Sequence, residues 1–135
     1  MNRLEYINPA GMTAPRGYSH AVSVSGDHTT VYIGGQNAVD ENGLLVGNGN
    51  LGEQTGQVLD NIEKIVNSAG ARIGNVIKLT IYVRQGQNPQ EGFQAFQKKW
   101  PADTGYPAIT VLFVAGLAHP DWLVEIDAVA VIPAW

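Results

Sequence analysis

Glu125 and Asp127 stand two residues apart in a stretch, Leu123 to Val131, that is otherwise apolar. If the stretch is extended, Leu123, Glu125, Asp127, Val129 and Val131 share one face and Val124, Ile126, Ala128 and Ala130 the other. A carboxylate in the middle of a hydrophobic sheet costs free energy unless it is solvated in a cleft or paired. The two acids therefore mark a candidate site. Two carboxylates acting together, as in glycoside cleavage, would have to stand across a bound sugar. Asp127 fits better as the structural partner of a neighbouring strand or subunit.

Other reaction classes find little support. The chain has no cysteine, which removes thiolate catalysis and cysteine-based zinc sites and suits a reducing cytoplasm. His20, His28 and His119 have neither the i, i+4 spacing nor the nearby carboxylates of a metal site, so no metal is expected. Ser19 and His20 point to opposite faces of a strand, which disfavours a serine activated by its neighbour. Gly47-Asn48-Gly49-Asn50-Leu51-Gly52 spells a dinucleotide fingerprint, but only Leu44 to Val46 is available as a preceding strand. Twenty residues further on, where an acid should bind the ribose, the chain reads Ala69-Gly70-Ala71-Arg72. The glycines read as a turn, and no cofactor is expected.

A net charge of -4, with eight Lys and Arg spread from Arg3 to Lys99, offers no footprint for a phosphate backbone. Lys98-Lys99 is the one basic doublet and reads as a solvated helix surface. No apolar run approaches the ~18 residues of a membrane span, and MNRLEYINPAGM has no apolar leader core. The expectation is an untargeted cytoplasmic protein of one domain, residues 1–135, with no nucleic acid or membrane partner.

The elements that would position Glu125 follow from periodicity. Ser19 to Val24 and Thr30 to Gly34 read as strands joined in a hairpin around Gly26-Asp27, with a further turn at Asp40-Glu41-Asn42-Gly43. Val58, Leu59, Ile62, Ile65, Val66 and Ala69 form a helical stripe, started by Asn50 with Glu53 and stopped at Gly70. Val76 to Val83 alternates as a strand. A second helix opens at Asn88-Pro89-Gln90-Glu91 and presents Phe93, Phe96 and Trp100 inward. A closing strand pair falls within Tyr106 to Val131, giving the order ββαβαββ and an α+β fold with two helices on one face of the sheet. On the strand Ile109 to Val114 both faces are apolar, Ile109, Val111 and Phe113 against Thr110, Leu112 and Val114. Two helices cover one face only, so the other should pack against a second copy of the chain.

Taken in order, these segments resemble the Rid (reactive-intermediate deaminase, YjgF-like) family from about Ala14 to Val131. Arg16-Gly17-Tyr18-Ser19-His20-Ala21-Val22 is similar to the family's G-P-Y-S-Q-A-V, and Gly34-Gly35-Gln36 to its S-G-Q. Glu53-Gln54-Thr55, Leu59-Asp60-Asn61-Ile62, Ala69-Gly70-Ala71 and Val76-Ile77-Lys78-Leu79-Thr80 follow the family's central helix and strand. Tyr106-Pro107-Ala108 and Val124-Glu125-Ile126-Asp127-Ala128 match its closing strands. The resemblance implies a chorismate-mutase-like fold, a homotrimer with a central barrel of sheets, and three clefts between subunits. It implies hydrolysis of 2-imino or 2-enamino acids to 2-keto acids and ammonia without a cofactor. In the family an arginine grips the substrate carboxylate and a glutamate, here Glu125, orients the attacking water.

One departure bears directly on function. The family's P-A-R-[ST] reads Pro107-Ala108-Ile109-Thr110, so an isoleucine stands where the carboxylate clamp belongs, and the cysteine often found two residues on is Val111. An aliphatic side chain offers no donor, so the usual 2-iminoacid should bind poorly. Arg16 and Lys78 are the cations within reach of the matching segments, and sequence alone puts neither in the cleft. The expected cleft is lined by Tyr18, Gly35, Gln36, Ile109, Val111 and Glu125. The expected activity is deamination of a non-standard imine or enamine. The alternative is a non-catalytic protein that binds a small apolar or weakly polar metabolite. RNA cleavage, ascribed to relatives, fits neither the acidic balance nor the lack of a basic groove.

Overall fold

A computed structural model describes residues 3–134. The elements, in chain order, are β1 (Arg3–Ile7), β2 (Ala21–Ser25), β3 (His28–Gln36), α1 (Leu51–Ser68), a 3-10 turn (Ile73–Asn75), β4 (Val76–Arg84), α2 (Pro89–Lys99), β5 (Ala108–Val114) and β6 (Val124–Pro133). The architecture is α+β, with β3, β6, β4 and β5 side by side in one sheet and β1 and β2 in a two-stranded ladder.

Three local expectations change. The N-terminal segment forms a strand, β1, in which Leu4 and Tyr6 stand opposite Val24 and Val22 of β2. The reversal at Gly26-Asp27 does not join β2 to β3 as a hairpin: β2 pairs with β1, and β3 runs antiparallel to β6. A turn signal marks where the chain bends but not which strand it meets. That choice rests on matching apolar faces. Likewise β5 and β6 are not partners. β4 lies between them, parallel to β5 and antiparallel to β6.

The helices start and stop on the residues expected. Asn50 Oδ1 accepts from the Glu53 N–H at 2.9 Å, while the Asn50 N–H goes to the Gly47 carbonyl, so half of the capping box is formed. Gly70, at φ +87°, takes the left-handed conformation that ends the helix. In α2, Asn88 Oδ1 accepts from the Gln90 N–H and Pro89 occupies the first position, where its missing donor costs nothing.

Leu51, Val58, Leu59, Ile62 and Val66 of α1 are buried with Leu79, Val124, Ile126 and Ala128 of the sheet, and this contact is the core. α2 packs mainly against α1, with Phe96 stacked on Trp100 at 5.0 Å between ring centres. The buried Gln54 ties the core to the start of β6: its Oε1 accepts from the Leu123 N–H at 2.8 Å, and its Nε2 donates to the Gly47 and Asp121 carbonyls at 3.1 and 3.0 Å. All its polar valences but one are used, which is what makes burial of the amide tolerable. No helix among the described residues is long and apolar enough to cross a membrane.

Candidate functional site

Pairing across β4, β5 and β6 sorts the candidate residues by face. Leu79, Ile81 and Val83 of β4 stand beside Ile109, Val111 and Phe113 of β5 and beside Ala128, Ile126 and Val124 of β6. These side chains face the helices. Between them, a two-residue period turns Thr80 and Tyr82 outward beside Asp127 and Glu125, with Thr110 and Leu112 on the same outer face.

The helix-side face does not close completely. Where α2 leans on α1, a pocket of about 450 Å³ remains over β4 and β5, lined by Tyr18, Ile109, Val111, Phe113 and Phe93 and by the exposed Arg16 at its edge. The loop that brings in Tyr18 is tied to the start of β5, because the Ser19 N–H donates to the Pro107 carbonyl at 2.9 Å and Ser19 bridges to Ala108. Gly17 makes the close approach possible. It sits at φ +76°, and a Cβ there would fall 2.8 Å from the Phe93 ring.

On the outer face, Glu125 is half-buried and accepts a hydrogen bond from Asn37 Nδ2 at 3.2 Å. Gly35 lies against the same carboxyl group, since a Cβ on Gly35 would come within 2.8 Å of Glu125 Cδ. The Asn37 segment is itself held from α1: Asn61 Nδ2 donates to the Asn37 and Val39 carbonyls at 3.1 and 3.0 Å, and Gln57 Nε2 donates to Asn61 Oδ1. Gln36 turns back on its own strand, its amide donating to the Gly34 carbonyl at 3.2 Å. Asp127 accepts from the Tyr82 hydroxyl at 3.1 Å. That hydrogen bond, the Asp127 charge, desolvation and the more distant Glu125 together hold the Tyr82 phenol above its ordinary 10.0. Lys78 Nζ donates to Thr110 Oγ1 at 2.7 Å on this same side.

Within one protomer the six expected lining residues therefore form two groups. Tyr18, Ile109 and Val111 meet at the pocket, whereas Gly35 and Glu125 meet on the other side of the sheet, with Gln36 next to Gly35 in sequence. Three residues that hold these groups were not singled out from the sequence, namely Asn37, Gln54 and Asn61. Gln54 and Asn61 do fall inside the words that resemble the Rid family. The histidines are engaged locally: His20 Nε2 donates to the Thr13 carbonyl, His28 Nδ1 to the Gly26 carbonyl, and His119 Nδ1 accepts from the Asp121 N–H. Among the described residues no three histidines or carboxylates converge as metal ligands would. The Gly47 to Gly52 stretch feeds the Asn50 cap, with the Asn50 N–H on the Gly47 carbonyl.

A family profile described as Endoribonuclease L-PSP matches residues 10–132. A solved structure from Yersinia pestis, described as a protein of unknown function of the Rid family, is similar with a TM-score of 0.81 and 34% identity, covering 96% of this chain and 98% of that one. The chain belongs to the Rid family. Two relatives match along almost their whole length. A RutC family protein of Synechocystis is 33% identical over 132 residues, covering 96% of this chain and 98% of its own. A protein of Acinetobacter baylyi named 3-aminoacrylate deaminase RutC is 32% identical over 126 residues, covering 93% and 96%.

Proposed function

We propose that this Rid protein is a cofactor-independent hydrolase that deaminates a small imine or enamine other than the usual 2-iminoacid, in clefts between the subunits of a homotrimer. The observation that carries the proposal is the division of the candidate residues between two faces of one sheet. Ile109 and Val111 face the helices while Glu125 faces outward, so a single cleft holding all of them takes its two walls from two copies. Apolar surface supports the same reading: on the outer face Leu112 and Tyr32 are 42% and 81% exposed, and on the helix side of β5 Val111 and Phe113 are 51% and 50% exposed, surface on both sides that neighbouring copies would cover.

The chemistry asks little of the protein. Water adds through oxygen to the carbon of the C=N bond, and the nitrogen leaves as ammonia while a carbonyl remains. The Glu125 carboxylate passes one proton of the water to the imine nitrogen as the oxygen adds, then passes the hydroxyl proton of the carbinolamine to the same nitrogen as the C–N bond breaks; an enamine first becomes an imine by taking a proton on carbon. Asn37 and Gly35 fix the carboxyl group for that task. The reaction class is supported by the name of the Acinetobacter relative, a 3-aminoacrylate deaminase. The restriction on substrate comes from Ile109, which offers no donor, so a substrate carboxylate desolvated against it forfeits several kcal/mol, about 1–3 for each unpaired contact. A cysteine-free chain suits the reducing cytoplasm.

The same apolar pocket without a clamp on β5 also favours a second reading, a protein that binds a small metabolite and turns nothing over. Imines generated in place and followed by semicarbazide trapping separate the two. Deamination is expected from the natural chain on some imine lacking a 2-carboxylate, and on standard 2-iminoacids from Ile109→Arg alone. Glu125→Gln is expected to lower turnover by roughly a hundredfold or more. Absence of turnover on every imine, in both chains, leaves the binding protein. Fast turnover of standard 2-iminoacids by the natural chain contradicts the role given to Ile109.

A further inference from the structure

The pocket over β4 and β5 is graded from dry to charged. Its deep wall is made by Leu59, Val83, Phe96, Val124 and Ile126, all buried and apolar. Its edge carries Arg16, exposed and without a carboxylate or carbonyl partner among the described residues. A guanidinium donates N–H hydrogen bonds to an anion through a rigid fork that meets two oxygens at once.

The loop that carries Arg16 is held in place by its surroundings. It belongs to a loop, Thr13 to His20, closed at its ends: the His20 ring donates to the Thr13 carbonyl at 2.8 Å, and the His20 N–H donates to Asn8 Oδ1 at 2.8 Å. The tip of the loop is pressed on α2 through Gly17 and Phe93, and Ser19 fastens it to Pro107 and Ala108, one residue from Ile109. Tyr18 stands edge-on to His20, with ring centres 5.4 Å apart. These ties confine Arg16 to the rim of the pocket whose wall includes Ile109.

We propose that Arg16 is the anion-binding residue of this pocket and that the ligand is an amphipathic organic anion, an apolar body of up to about ten heavy atoms bearing one carboxylate or similar oxyanion head. The assignment rests on reading the pocket as the ligand-holding half of the site. The deep wall takes the apolar body and the guanidinium takes the head, so charge and reacting carbon are separated by an apolar spacer. In a 2-iminoacid they are directly bonded. Ile109 then belongs to the wall that receives the spacer, and the positive contact has moved from the strand to the loop.

The test compares 4-phenylbutanoate with its neutral analogue 4-phenylbutan-1-ol in NMR titrations of the full chain. The natural chain is expected to prefer the anion by about tenfold, the modest end of what a charge-assisted hydrogen bond supplies because Arg16 is exposed. Arg16→Gln is expected to bind both probes as the natural chain binds the alcohol, and Arg16→Lys to keep part of the preference. Equal binding of the two probes by the natural chain, a preference that survives in Arg16→Gln, or no binding of either probe overturns the assignment. If Glu125-dependent deamination is found while the probes bind alike, the Arg16 assignment alone fails. If the preference depends on Arg16 while no imine is turned over, the deaminase reading alone fails.

Discussion

The two faces of β4, β5 and β6 come from the same alternating stretches of chain and share no chemistry. The helix-side face is held by area: Leu79, Val124 and Ile126 are buried against α1, and each such side chain is worth about 1.5–3 kcal/mol relative to exposure. The outer face is held by direction. Glu125 depends on Asn37 and on the room left by Gly35, Asp127 on Tyr82, and Lys78 on Thr110. An apolar wall tolerates a conservative change of side chain because many contacts share the load. A directional set does not, since removing one partner leaves the other unpaired. The face that carries Glu125 is accordingly the one that small substitutions should disturb.

Gln54→Ala gives the largest expected effect, because it strands the buried Leu123 N–H and two carbonyls at the point where β6 begins. A loss of about 3 kcal/mol should appear as a lower midpoint in urea unfolding. Loss within the ±0.5 kcal/mol of an ordinary surface change would show that the amide is not holding the strand. Gly35→Ala comes next and is more selective. Its Cβ would displace the Glu125 carboxyl group, so turnover should fall by about tenfold while unfolding stability changes by less than about 1 kcal/mol. An equal effect on stability would place Gly35 with the fold and not with the site.

The smallest effect concerns alkaline pH. Tyr82 is held above 10.0 in the folded chain, so folding favours its protonated form. The resulting stability is fully present below pH 10.0 and is lost as pH rises through the higher folded value. Lys99 contributes with the same sign. Burial alone would lower it, but hydrogen bonds to Glu63 and Asp60, and then their charges, raise it above 10.5. Asp127→Asn should therefore bring the Tyr82 titration, followed by ultraviolet absorbance, back toward 10.0 and leave Lys99 unaffected. An unchanged titration would mean that the Tyr82–Asp127 contact does not persist in solution.

How much of this was legible in the sequence divides along the same line. The helical stripe of α1, the Asn50 and Asn88 caps and the alternation in β4 and β6 are local signals, and they locate elements correctly because each is set by neighbours in the chain. Strand partners are not local. Gly26-Asp27 gave a true reversal but a false hairpin, and the insertion of β4 between β5 and β6 depends on which apolar faces match after folding. β1 was missed because five residues with only Leu4 and Tyr6 directed inward carry too weak a pattern. At the site, alternation correctly separated Glu125 from Ile126. Asn37 and Gln54 could not be found that way, since their partners lie 88 and 69 residues away. The placement of Arg16 at the pocket that Ile109 lines depends on a loop folding back over β5, for which Gly17 is the one local sign.

In the proposed homotrimer the Val111 wall of one subunit and the Glu125 wall of the next face each other across a cleft. The chain has no native cysteine, so Val111→Cys combined with Glu125→Cys provides two unique attachment points. Treated at micromolar concentration with a short bis-maleimide, this variant should yield covalent dimers and trimers of the 14.5 kDa chain, while each single variant stays largely uncoupled. A double variant that stays at the monomer mass, under conditions where both thiols react with a monofunctional maleimide, would contradict the account.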